Sequence, residues 1–196
     1  MLDVIPEADA LDGLDPQTRQ MPTRADRIAL VLLFVVYLVV LTWLVLFKLH
    51  EPFIGRDDMR EIKLIPFLPS DTYGASSPFE VLLNLLVFIP FGVYLRSLTR
   101  WRPVAVIAAV AGASVAYEAT QFGLALGSSD MTDVLVNTAG GLAGVVLFRL
   151  LRTRFGERTR MLVTRGAAIL TLVALVGVGL HIQSFPRMPG GGVVIE

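Results

Sequence analysis

Twenty consecutive residues without a charge, Ile28 to Phe47, decide the class of fold before any other feature is considered. A helix of that length is about 30 Å long, the thickness of a bilayer's hydrocarbon core. Further apolar blocks follow, and the expected spans are 28–47, 78–98, 103–126, 131–151 and 167–183. Only 17% of residues are charged and 54% are hydrophobic, where a soluble domain carries nearer a quarter charged. The chain is therefore expected to be all-α, a polytopic integral membrane bundle with about five transmembrane helices. Residues 1–27 read as a flexible cytoplasmic tail, 28–183 as the transmembrane domain and 184–196 as a short external tail. The first apolar run is too long for a signal-peptide core and has no small-residue cleavage site after it, so it reads as an uncleaved anchor.

Local signals sharpen these boundaries. Ser77-Pro78-Phe79-Glu80 combines an N-cap serine, proline at the first helical position and glutamate at the third, the pattern of a capping box. Pro90 and Gly92 are expected to bend the second span, because proline removes a backbone donor and crowds the preceding turn. Pro103 opens the third span, and Asp130 is placed to cap the fourth with Asp133 in its first turn. The second and fourth spans are short, with uncharged cores 81–95 and 134–148, so Arg96 and Arg149 are expected to snorkel to the interface.

With the N-terminus inside, twelve basic residues fall on the inner side: Arg19, Arg24, Arg27, Arg96, Arg100, Arg102, Arg149, Arg152, Arg154, Arg158, Arg160 and Arg165. Five fall outside: Lys48, Arg56, Arg60, Lys63 and Arg187. The positive-inside rule selects this N-in, C-out arrangement. The long external segment 48–76 carries Ile62, Leu64, Ile65, Phe67 and Leu68 around Pro66 and Pro69, which reads as interfacial or partly re-entrant.

Polar residues inside the spans mark the candidate site. A charge at the centre of a membrane helix costs roughly 2.5–3.5 kcal/mol on insertion scales. Glu118 and Gln121 share one face of the third span; Asp130, Asp133 and Asn137 share one face of the fourth. Glu118 lies roughly 12 Å from the outer end of its span, Asn137 roughly 10 Å and Asn84 roughly 9 Å from theirs. The turn near 127–129 makes spans three and four antiparallel neighbours. One outward-facing acidic pocket would therefore gather Asn84, Glu118, Gln121, Asp130, Asp133 and Asn137. Gly140, Gly141 and Gly144 continue the same face of span four and allow another helix to come close, as a floor to the pocket.

The chain contains no cysteine, which excludes disulfides, thiolate metal sites and cysteine nucleophiles. His50 and His181 lie outside the cluster and read as interfacial side chains, so no triad or histidine-ligated metal can be assembled there. Glu118, Asp130 and Asp133 could hold a divalent cation through carboxylate oxygens, but no motif supports it and no cofactor is expected.

The chain resembles the VanZ-like family of membrane proteins. The resemblance rests on Lys63-Leu64-Ile65-Pro66-Phe67, on Asn84-Leu85-Leu86-Val87-Phe88-Ile89-Pro90-Phe91-Gly92, on Glu118 with Gln121, and on Asp130-Met131-Thr132-Asp133-Val134-Leu135-Val136-Asn137-Thr138-Ala139-Gly140-Gly141. Their order and spacing agree with the family over about residues 63–150. Relatives often carry an arginine just before the Asp-x-x-Asp segment, where this chain has Gly127, Ser128 and Ser129. The resemblance implies a role in the bacterial cell envelope or in tolerance of glycopeptides such as teicoplanin. It implies membrane lipid as a partner and a cell-wall precursor or glycopeptide as a candidate ligand; nucleic acid is not expected.

Three readings stand at this point. The first is a non-enzymatic bundle in which Glu118 recognises a cationic or amide- and hydroxyl-rich group, Asp130 and Asp133 form the rim, and Asn84, Gln121 and Asn137 orient the ligand. The second is a small transporter or lipid translocase using Glu118 as a proton relay. The third is a metal-dependent enzyme acting on an envelope lipid. Against all three stands a purely structural role, in which Glu118 is a hydrogen-bond hub tying Asn84 to Asn137.

Overall fold

The computed structural model describes residues 24–47, 61–68, 77–126 and 128–183. Expectations for the tail before residue 24, for His50, Arg56 and Arg60, and for the tail 184–196 lie outside these residues. Among the described residues five α-helices form: α1 Arg24–Phe47, α2 Pro78–Leu98, α3 Pro103–Gly123, α4 Met131–Phe155 and α5 Thr159–Gln183. Two three-residue strands, β1 Glu61–Lys63 and β2 Ser128–Asp130, pair in parallel. Among the described residues four stretches are long and apolar enough to cross a membrane: α1, α2, α3 and Met131–Gly177. The last comprises α4 and most of α5, separated by a single 3-10 turn at Gly156–Arg158. Gly156 caps α4 with φ +53°, a conformation that only glycine adopts without steric cost, and the chain reverses there. Phe148 and Leu151 of α4 then meet Val163 of α5, and the Thr159 hydroxyl donates to the Leu151 carbonyl.

The expected start signals are present. Ser77 and Glu80 exchange their hydrogen bonds as a complete capping box, and the Asp130 side chain accepts from the Thr132 N–H as the N-cap of α4. Some boundaries differ. α1 begins at Arg24 and α5 at Thr159, both earlier than the uncharged runs at 28 and 167, because charge is tolerated on exposed turns while Thr159 and Val163 are buried. α3 closes at Gly123, short of 126. Ala125 takes φ +52°, and the Leu126 N–H reaches back to the Gln121 carbonyl, which ends the helix.

α2 and α4 form the central pair, and glycine sets their separation. A methyl group on Gly92 would collide with the Gly141 carbonyl, on Gly140 with the Leu85 carbonyl, and on Gly144 with the Ile89 carbonyl. Gly141 is closed by Val110 of α3, which would stand 2.6 Å from an added Cβ. α2 remains helical through Pro90. The Tyr37 hydroxyl of α1 donates to the Val87 carbonyl at 2.7 Å, next to the carbonyl that Pro90 cannot serve. Phe34, Tyr37, Phe91 and Tyr94 pack as one aromatic group, with centroids 5.1 Å apart for Phe34 and Tyr94.

The helices alternate in direction, so the start of α1, the α2–α3 connection and the α4–α5 turn share one end. Arg24, Arg27, Arg96, Arg100, Arg102, Arg149, Arg152, Arg154, Arg158, Arg160 and Arg165 all belong to that end, which the positive-inside rule makes the inner one. Arg96 lies over the Phe148 ring, 5.9 Å from its centroid, and donates to the Trp101 carbonyl. The strands, the starts of α2 and α4 and the last turn of α1 share the outer end.

Candidate functional site

Each polar residue singled out above occurs at the outer end, most of them deeply buried. Asn137 is 1% exposed, Gln121 3%, Glu118 and Asp130 5%, and Asp133 6%. Helical spacing explains the shared direction. On α3, Ser114, Glu118 and Gln121 follow at four and three residues, one stripe facing α4 and α1. On α4, Asp133, Asn137 and Gly140 repeat the same intervals toward α2 and α3.

The pairing is distributed rather than centred on one hub. Asn84 Nδ2 donates to Asp133 Oδ1 at 2.8 Å, tying α2 to α4. Asn137 Nδ2 donates to Ser114 Oγ at 2.8 Å, tying α4 to α3. Gln121 Nε2 donates to the Val45 carbonyl at 2.9 Å and so satisfies one of the last four carbonyls of α1, which have no partner within the helix. Glu118 Oε2 accepts the Asp130 N–H at 2.7 Å, fixing the first residue of the α4 cap over the end of α3. Asp130 Oδ1 in turn accepts the Thr132 N–H at 2.7 Å. Asn84 thus goes to Asp133 and Asn137 to Ser114, where the structural expectation had both meeting Glu118.

Sequence reasoning left Lys63 among the loop cations, and the structure brings it into the cluster. The parallel register sets Lys63 opposite Asp130, and Lys63 Nζ stands 3.9 Å from Asp130 Oδ2 with both side chains almost fully buried. A cation therefore faces Asp130 despite the absence of arginine at 127–129. The Phe67 N–H donates to Thr132 Oγ1 at 2.9 Å, so residues 61–68 are fastened over the start of α4 at two places. Ser114 and Thr132 were also missed. The i, i+4, i+7 stripe from Ser114 would have found the first; a three-residue parallel strand leaves no sequence signature for Lys63.

The cluster holds one lysine beside three carboxyl groups and three amides, all but Asn84 buried. Among the described residues no group of three or more His, Asp or Glu side chains is arranged to hold a metal ion. Two buried acceptors, Gln121 Oε1 and Asn137 Oδ1, have no hydrogen-bond partner among the described residues. Burying such an acceptor costs about 1–3 kcal/mol, which a donor supplied by a ligand or a water would recover. The cluster's carboxyl and amide groups can bind and orient a polar group. An apolar cavity of about 370 Å³ lies elsewhere, between α1, α2, α4 and α5, with Pro90, Tyr94, Leu151 and Ala167 in its walls.

A model of the VanZ/LLP1 family matches residues 34–152. Protein VanZ of Enterococcus faecium is 32% identical over 156 residues, which cover 77% of this chain and 92% of that protein. No solved structure matches the chain.

Proposed function

The chain belongs to the VanZ/LLP1 family, and on that premise we propose that it is a non-enzymatic protein of the bacterial cytoplasmic membrane that recognises an envelope component at its outer polar cluster. One observation carries this reading: carboxyl groups from α3, β2 and α4 are gathered at one depth, where neutral amides would join helices at lower desolvation cost. Glu118 and Asp133 supply the charge that selects the ligand, Asp130 forms the rim with Lys63 as its counter-charge, and Asn84, Gln121 and Asn137 orient the bound group. Pro90, Gly92, Gly140, Gly141 and Gly144 shape the scaffold beneath. The ligand class that fits is a cationic or amide- and hydroxyl-rich group, as a cell-wall precursor or a glycopeptide presents, and the physiological role is tolerance of glycopeptides such as teicoplanin, or envelope maintenance.

The test is complementation of a strain lacking the gene with wild type, Glu118→Gln and Asp133→Asn at matched membrane levels. Glycopeptide susceptibility and surface binding of a fluorescent glycopeptide are read. Wild type is expected to restore the phenotype and both variants to lose it. Variants that behave as wild type remove the site from the function.

A second reading, a transporter in which Glu118 relays protons, is favoured by the buried acceptors Gln121 Oε1 and Asn137 Oδ1: Gln121 follows Glu118 by one turn of α3, and Asn137 bonds Ser114, one turn before it. Flux in proteoliposomes that follows a pH gradient and disappears in Glu118→Gln separates it from a static binder.

A further inference from the structure

Residues 61–68 are polar on one side and apolar on the other. Lys63 turns into the bundle and is 8% exposed, whereas Ile62, Leu64, Ile65, Phe67 and Leu68 are 54–69% exposed. Ile62 and Leu64 flank Lys63 with the alternation of a strand, one side chain in and its neighbours out. Beyond the strand, Phe67 takes φ +62°, which a bulky residue adopts only when its surroundings impose it, and its N–H is held by Thr132 Oγ1. Fastening at β2 and at Thr132 thus holds the apolar side chains outward.

That apolar surface does not stop at the segment. Phe79 and Leu82 in the outer turns of α2, and Met131 and Leu135 in those of α4, are exposed at the same end of the molecule. Both helices belong to stretches long and apolar enough to cross a membrane. A patch of five large apolar side chains facing water would be unusual for any protein surface. Irregular backbone cannot sink into the lipid core unpaired, so the depth that satisfies both demands is the boundary between headgroups and acyl chains.

We propose that residues 62–68 are seated in the outer leaflet at that boundary, and that the cluster beneath Lys63 is entered from the lipid phase rather than from water. The group that reaches Glu118 and Asp133 then arrives on a lipid, as a headgroup whose acyl chain stays in the outer leaflet alongside Leu64 and Ile65. This second half rests on the reading of the cluster as a binding site; the seating of the segment does not.

The absence of cysteine makes the test direct. Leu64→Cys, Ile65→Cys and Leu68→Cys, all at exposed positions, are each nitroxide-labelled and reconstituted in phosphatidylethanolamine–phosphatidylglycerol vesicles. Collision rates with oxygen and with a water-soluble nickel chelate are compared. At all three positions the ratio of oxygen to nickel collisions is expected to exceed that of the free label in water at least twofold. A ratio equal to the free label's at these sites, whether from water or from a partner that the segment normally meets, overturns the seating.

Entry is read on the unlabelled protein, as the rate at which Glu118 is modified by apolar dicyclohexylcarbodiimide and by a charged, water-soluble carbodiimide, with Glu118→Gln as the blank. The apolar reagent is expected to be faster by tenfold or more; any other order overturns lateral entry. Seated labels together with a fully active Glu118→Gln would sink the binding site and leave the segment where it is proposed. Aqueous labels with an inactive Glu118→Gln would do the reverse.

Discussion

The two ends of the α2–α4 pair are built from opposite materials. In the inner half, backbone meets backbone: Gly92, Gly141 and Gly144 bring the helices together, Val110 closes on Gly141, and the Phe34, Tyr37, Phe91 and Tyr94 rings pack around them. In the outer half, side-chain hydrogen bonds are added, Asn84 to Asp133 between α2 and α4 and Asn137 to Ser114 between α4 and α3, with Lys63 and Asp130 buried above. Close packing is the dominant source of helix association in lipid, while an interhelical hydrogen bond contributes only about 0.6 kcal/mol on average. The inner half can therefore hold the bundle without help. The outer half carries buried charge beyond what close packing needs, and under the proposed function the difference gives structure to one end and ligand recognition to the other.

The sharpest way to break this division is to attack the inner half. Gly144→Leu drives a side chain into the Ile89 carbonyl and has no rotamer that avoids it. A loss of about 3 kcal/mol or more is expected, seen as aggregation or a lowered unfolding midpoint in detergent. Next comes Lys63→Met, which strips a buried carboxylate of its cation. Removing one partner of a buried pair costs about 3–5 kcal/mol, and the hydrogen bond that Asp130 keeps from the Thr132 N–H lowers that. The loss is read as a lowered unfolding midpoint in detergent, and a midpoint equal to that of wild type would show that the pair contributes nothing to the fold. Ser77→Ala removes the capping-box acceptor of α2 and is expected to cost about 1 kcal/mol. Smallest is Asn84→Leu, at about 0.6 kcal/mol, since its bond to Asp133 is one polar contact in a well-packed pair. A loss for Asn84→Leu that matched Gly144→Leu would erase the distinction between the halves.

Much of this arrangement was legible in the chain. Apolar block length gave the helices, and Ser77 with Glu80 and Asp130 gave the starts of α2 and α4. Those features depend on local physics or on a ruler along one axis. The failures share a different cause. Lys63 joins the cluster through a strand of three residues paired with another of three, and so short a pairing carries no periodicity to read. The partners of Asn84 and Asn137 depended on the rotation of each helix about its axis, which the glycine contacts of the inner half decide. α5 begins at Thr159 rather than at 167 because its first turns carry Arg160 and Arg165 on exposed positions, so the uncharged run starts later than the helix does.

The central claim, that the outer cluster serves recognition and the inner half serves the fold, is tested most directly by one variant read twice. Glu118→Gln keeps an oxygen that can accept the Asp130 N–H and differs in charge. Its unfolding midpoint in detergent is measured beside the glycopeptide susceptibility of cells that carry it at wild-type membrane levels. The account expects a midpoint within a few degrees of wild type together with loss of the wild-type phenotype. A phenotype that survives, or that is lost only as far as the fold is lost, contradicts it.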